Sequence, residues 1–356
     1  MRATIKDIAE ELGISVNTVS KALNGKPQVS EKTRNIIIET ARRINYRPNE
    51  TARALVRREL HLAIAYPLEP NEFYSYVVEG IQKAKKDLSD SKCIVHMFPF
   101  SSIEKPQELR EILIEISKGK FDALVLTCAH RFSVYQEELE TIGKMGIPIL
   151  YNTIFGLKTT GVIGGVRMNT YVTGKIAAEF LSMTIPDCKQ GHAKKVALLV
   201  GEKSMLVHNE CIEGFSSVCV NYNIEITEIY ETYEEWQVAY ELTDRLFRLH
   251  PDLDGIYVTS YNSPGVCTWL EEHPRDHPVI VIGHDLYPKL NEKLRSNILT
   301  ASLFQNQYEF GKESVEIMYD YLTGARGYKD CTKLIVPQLV ISSMIDSFPY
   351  YNNLHD

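Results

Sequence analysis

Nowhere do the 356 residues hold a run of 18 apolar positions, which excludes a spanning helix by the length a bilayer requires. The opening MRATIKDIAEELG has no apolar core of the secretory type, so the expected location is the cytoplasm. The seven cysteines, Cys93, Cys128, Cys188, Cys211, Cys219, Cys267 and Cys331, are scattered, without a CxxC pair or a Cys/His zinc spacing. That pattern fits reduced, mostly buried thiols rather than a disulfide frame or a metal site. Nucleotide-binding and hydrolase signatures are missing too: no GxGxxG follows a strand, and neither GxxxxGKS/T nor GxSxG occurs. No cofactor, no metal and no enzymatic activity are expected.

What is present is an uneven charge. The chain carries −7 overall, a poor sign for binding a polyanion. Residues 1–60, however, hold 12 Lys and Arg against 7 Asp and Glu, a balance of +5, while the remainder holds 27 against 39, a balance of −12. A basic head on an acidic body suits a head that faces phosphate and a body that avoids it.

The head is a series of short helices. Residues 5–12 place Ile5, Ile8, Ala9 and Leu12 on one face, with Thr4 as N-cap and Gly13 as the break. Ser15 caps a second helix running to about Asn24, and Asn24-Gly25-Lys26-Pro27 signals a loop. Ser30 and Glu31 open a third helix with Ile36, Ile37, Thr40, Ala41 and Ile44 as its apolar stripe, and residues 49–57 can form a short fourth. Small Ala9, the turn at Gly13 and inward Val19 stand at the spacing a helix-turn-helix needs. The second helix is then a recognition helix for the major groove. Ser15, Val16, Asn17, Thr18, Ser20 and Lys21 are its candidate contacts. Asn17 can pair with adenine, Lys21 can reach guanine and Val16 can touch a thymine methyl, while Thr18 and Ser20 suit phosphate.

From residue 62 the texture changes to alternating strands and helices. Strands are expected at 62–67, 93–98, 122–127 and 147–152, then again at 195–200, 224–230, 254–259, 278–283 and 299–304. Such alternation predicts an α/β fold of two doubly wound parallel-sheet lobes, with ligand at the carboxyl ends of the strands. The terminal SMIDSFPYYNNLHD has no leucine heptads, so no coiled-coil tail is expected.

The stretches TIKDIAEELGISVNTVSKALNG, VSEKTRNIIIETARRINYRPN and TARAL closely resemble the headpiece of the lac repressor/purine repressor family, in order and spacing. The resemblance implies a helix-turn-helix headpiece over 1–47 and a hinge helix over 48–60 that enters the minor groove. Leu55 is by position its wedge, with Asn49, Ala52 and Arg53 around it. So short a helix is marginal alone and should fold only on DNA beside a second copy. A homodimer on a near-palindromic operator in double-stranded DNA follows.

Residues 61–345 are similar, more loosely, to the family's effector domain, which shares its fold with periplasmic sugar-binding proteins. The resemblance implies lobes at 61–165 with 305–336 and at 166–304 with 337–345, a tail at 346–356, and an effector held between the lobes. Carried over by position, the effector residues are Phe73, Tyr74, His130, Arg131, Asn169, Asn262, Asp285 and Gln305, and Asn209 joins them as a substitute for a missing family Arg. Ser260 and Tyr261 are rivals of Asn262. Aromatic rings suit the apolar face of a sugar, and carboxylates and amides suit its hydroxyls. Trp236, Trp269 and Tyr233 are expected to be structural.

Two departures narrow the effector. Met168 stands where the family often has Asp, and Cys211 where many relatives have Arg. A thiol cannot replace a guanidinium fork, which leaves His208 or Asn209 to supply polarity there. This disfavours purines, phosphorylated sugars and acids and favours a neutral sugar or polyol. The leading expectation is therefore an effector-controlled transcription regulator: a solute-binding transport receptor leaves residues 1–60 unexplained and needs an export signal, and an enzyme lacks a nucleophile motif beside the adjacent His284 and Asp285.

Overall fold

A computed structural model describes residues 4–23, 28–44, 46, 58–69, 71–102, 105–127, 132–153, 159–186, 192–325 and 330–348. The expected fourth helix at 49–57 and the expected hinge through residue 57 lie outside the described residues, as do Cys128 and Cys188, while Leu60, the last residue of that hinge, instead opens a strand.

Local chemistry sets the headpiece helices α1 (Ile5–Leu12), α2 (Val16–Leu23) and α3 (Glu31–Arg43). At the start of α1 the Asp7 carboxylate accepts from the Thr4 N–H at 2.6 Å and the Thr4 hydroxyl at 2.9 Å. Gly13 ends it at φ 62°, a conformation in which a Cβ is strained although the space beside it is open. Ser15 Oγ accepts from the Thr18 N–H at 3.0 Å and Ser30 Oγ from the Thr33 N–H at 3.2 Å, the N-caps expected of both serines. Ile8, Ala9, Val19, Ala22, Val29, Ile37 and Ala41 form the core. The α3 stripe is narrower than expected: Ile36 is 45% exposed, because it directly precedes Ile37 and a step of about 100° turns it off the buried face.

The chain divides into two compact units, Met1–Val166 with Gln307–Lys333, and Arg167–Asn306 with Leu334–Asp356. The first contains β1 (Leu60–Glu69), α4 (Asn71–Asp87), β2 (Cys93–Ser102), α5 (Pro106–Ile116), β3 (Ala123–Thr127), α6 (Gln136–Lys144), β4 (Ile149–Thr153) and α12 (Gln307–Thr323). β5 (Val162–Met168) and β11 (Lys333–Ile335) complete its sheet, ordered β11-β5-β4-β3-β1-β2. β1 pairs in parallel with β2 and β3, and β3 with β4. Buried on both faces, β1 is apolar almost without alternation from Leu62 to Ala65.

The second unit contains α7 (Thr170–Thr184), β6 (Lys194–Val200), α8 (Leu206–Cys219), β7 (Ile224–Glu231), α9 (Trp236–Leu249), β8 (Gly255–Val258), α10 (Ser263–Glu272), β9 (Ile280–His284), α11 (Pro288–Arg295), β10 (Ala301–Phe304) and β12 (Gln338–Val340). Its sheet runs β12-β10-β9-β8-β6-β7. All pairings from β7 to β10 are parallel, and β12 closes the edge antiparallel to β10. The strands β5, β11 and β12 were not among those expected from the sequence. The supposed tail at 346–356 begins inside a short 3₁₀ turn, Ser342–Ser347, where Asp346 meets Arg295 at 2.8 Å.

Glycine permits the tight helix pairing in each unit. A Cβ on Gly80 of α4 would collide with the Tyr308 carbonyl of α12, and one on Gly311 of α12 with the Val77 carbonyl. In the second unit Gly174 of α7 and Gly214 of α8 stand in the same reciprocal relation to Cys211 and Tyr171.

Candidate DNA-reading and ligand-binding sites

On α2, Val19 is fully buried while Val16 is 42% exposed and Asn17 is exposed. The buried side locks the helix to the headpiece and leaves the first turn open, the part that meets base edges in this motif. Ser15 and Thr18 share a hydroxyl contact at 2.8 Å. Thr18, Ser20 and Lys21 are half-buried. Arg34 of α3 donates to the Ala22 carbonyl at 2.8 Å, a cation placed at the negative end of α2. Asn49, Ala52, Arg53 and Leu55 lie outside the described residues.

In the first unit Phe73 is half-buried and packs edge-on against Tyr74 at 5.1 Å between centroids. Tyr74 itself is only 3% exposed, so of the two rings Phe73 alone retains appreciable open surface. His130 and Arg131 lie outside the described residues.

The second unit concentrates polar groups along one sheet edge. Five adjacent strands, β10, β9, β8, β6 and β7, are mutually parallel, so their carboxyl ends share that edge. Gln305 follows β10 and Asp285 follows β9, and Gln305 Nε2 donates to Asp285 Oδ2 at 3.0 Å. Asp285 is buried at φ 71° and its carbonyl accepts from Ser302 Oγ at 2.5 Å. Beyond β8, Asn262 is fully buried; its Nδ2 donates to Thr232 Oγ1, beyond β7, at 3.0 Å. Asn169 is the N-cap of α7, its Oδ1 accepting from the Val172 N–H at 3.2 Å.

The two polar neighbours of Cys211 separate clearly. Asn209 donates along the helix surface to Glu213 at 2.8 Å. His208 is buried, with Nδ1 2.8 Å from Thr259 Oγ1 and Nε2 2.9 Å from Glu234 Oε1. Burial pushes the Cys211 thiol up to about 12, so it stays neutral. Arg167 gives its guanidinium to Glu210, at 2.5 and 3.0 Å. The Glu234 contact went unnoticed in the sequence because residues 208 and 234 are brought together only by the β6–β7 pairing. Trp269 is buried as expected, but Trp236 is 51% and Tyr233 58% exposed. Both follow β7 on the same edge and do not belong to the core.

Behind this edge His284 is buried, its Nε2 2.9 Å from the Tyr257 hydroxyl. Burial first, and the nearby His208 imidazole second, hold it down at about 3. Between pH 6.5 and 3 the unfolded chain therefore binds a proton that the folded chain refuses, and stability falls as pH falls. Urea unfolding from pH 7 to 4 should show a loss approaching about 1.4 kcal/mol per unit from this group. The loss should be shallower in His284→Asn.

Residues 4–49 match the lacI family of bacterial regulatory proteins and residues 62–326 match the periplasmic binding protein domain. The chain joins a lacI-family helix-turn-helix domain to a body that belongs to the periplasmic binding protein domain family. It is 25% identical to the HTH-type transcriptional regulator MalR of Streptococcus pneumoniae serotype 4, over 96% of this chain and 99% of that protein. Catabolite control protein A of Staphylococcus xylosus is 27% identical over 68% of this chain and 70% of its own length. Among solved structures, the glucose-galactose binding protein GanP of Geobacillus stearothermophilus superposes with a TM-score of 0.67 at 20% identity, covering 81% of this chain and 99% of that one. That likeness establishes the fold. The protein is thus a DNA-binding transcription regulator with a lacI-family helix-turn-helix head and a periplasmic-binding-protein-like domain. No described helix is long and apolar enough to cross a membrane.

Proposed function

We propose that the protein is a cytoplasmic homodimeric repressor without catalytic activity, which binds a near-palindromic operator and is controlled by a neutral sugar or polyol. The observation that carries this reading is the union, in one chain, of an outward-facing α2 and the Asp285–Gln305 pair at a strand edge where open α/β sheets bind ligands. A carboxylate held by an amide can engage neighbouring hydroxyls. Met168 in place of the common Asp, and neutral Cys211 in place of Arg, support an uncharged effector. Two heads are needed because the phosphate contacts of one are too few for specific affinity at cellular salt.

Coupling follows from linkage: an effector that prefers one arrangement of the sensor changes operator affinity by the factor by which operator changes effector affinity. A gel shift with duplexes selected from a random pool tests the reading; equal affinity for selected and random duplexes at moderate salt removes it. Leu55 is proposed as the minor-groove wedge. Leu55→Ala should weaken operator binding at least about tenfold, since opening a base step costs a few kcal/mol that only the wedge and its contacts offset. Sugar binding should stay unchanged, and an undiminished operator affinity in the same titration removes the wedge.

A further inference from the structure

We propose that Glu234 and His208 form the specificity end of the effector site, admitting ligands that donate hydroxyl hydrogens and rejecting their anionic counterparts. The proposal rests on the reading of the second unit's strand edge as the effector site.

Three segments converge to build the pair. Tyr233 and Glu234 lie at φ 53° and 60°, two successive non-glycine residues in the left-handed region. Such backbone is unfavourable for side chains bearing a Cβ and is retained where surrounding contacts impose it. Here the Tyr261 hydroxyl donates to the Glu234 carbonyl at 2.9 Å, and the Tyr287 hydroxyl donates to the Tyr261 carbonyl. The turn directs the Glu234 carboxylate back to His208 Nε2. Beyond β6, Gly201 leaves the space they occupy: a Cβ there would collide with both Glu234 Oε1 and His208 Nε2. The αL turn, the glycine and the buried imidazole thus serve one arrangement.

The atoms gathered here accept hydrogen bonds. Asn262 Oδ1 is buried and has no hydrogen-bond partner among the described residues. Its own amide nitrogen is engaged by Thr232, so it requires a donor from elsewhere. Asp285 and Glu234 add two carboxylates. The neighbouring hydrogen-bond donors and cations are already committed: Arg167 to Glu210, the His208 ring to Glu234 and Thr259, and Lys289 over the Trp236 ring at 5.2 Å. A sugar hydroxyl can donate to such a set. A phosphate or carboxylate is acceptor-only at neutral pH and meets like charge without a guanidinium to receive it.

The test uses full-length protein in calorimetric titrations. D-Glucose, D-galactose and D-ribose are the neutral probes; D-glucuronate, D-galacturonate and D-ribose 5-phosphate are the anionic counterparts. At least one neutral probe should bind, with its counterpart about a hundredfold weaker or worse, a gap within reach of a few polar contacts. Glu234→Gln, which keeps the shape and removes the charge, should narrow that gap by about tenfold or more. His208→Gln leaves the Glu234 carboxylate without its imidazole partner and should widen the gap instead, and serves if the first variant does not fold. If both variants leave the discrimination unchanged while Asp285→Asn loses the neutral probe, the inference is overturned and the effector site stands. If no neutral probe binds the unaltered protein, the effector reading itself fails.

Discussion

Val19→Asp should abolish operator binding while the two α/β units keep their own unfolding transition. Val19 has no exposure and is one of seven small and branched apolar residues that form the core. A carboxylate there has no partner, and an unpaired buried charge costs several kcal/mol. A headpiece of some forty residues has little stability in reserve, since domains that small bury too little surface. Its folded fraction should collapse, and affinity for a selected duplex should fall more than about a hundredfold, which corresponds to about 2.8 kcal/mol. Fluorescence anisotropy reads the affinity, and calorimetric melting reads the remaining units. Retained affinity would mean that α2 is held by something other than this core.

Asp285→Ala should remove the stabilisation given by a sugar while leaving operator binding in its absence intact. At a hundredfold excess over Kd, a ligand that binds only the folded state adds about 2.7 kcal/mol. The variant should gain little of this, because Gln305 is then left without the carboxylate that orients it at 3.0 Å. Asp285 also occupies φ 71°, where alanine is strained and asparagine is tolerated. The basal melting temperature of Asp285→Ala should therefore drop on its own account. The readout is the shift produced by D-glucose, D-galactose or D-ribose relative to the ligand-free variant. Asp285→Asn, with less backbone strain, separates the two effects. A sugar-induced shift equal to the unaltered protein's in both variants removes Asp285 from the site.

Much of the head was legible because its rules are local. Ser15, Ser30 and Gly13 act within three or four residues of themselves, so the sequence exposes their roles directly. The strand ends at Asp285 and Gln305 were legible for another reason: each follows a short apolar run, and parallel strands deliver their carboxyl ends to one edge. The orientation of polar residues around Cys211 was not. His208 and Asn209 are neighbours, and only the packing of α8 turns one inward and the other along the surface. Tyr74 likewise had an aromatic ring in the right place, but its burial left only Phe73 with open surface.

The amino-acid order alone determined a basic helical head, an alternating α/β body and the positions of caps, breaks and strands, because periodicity and capping depend on near neighbours. Tertiary structure decided that Glu234 meets His208, that Asn262 keeps a buried acceptor, and that Trp236 and Tyr233 stand outside the core. Those outcomes depend on which strands lie side by side and on two left-handed residues without a glycine or asparagine to announce them, and chain order does not encode either in any local window.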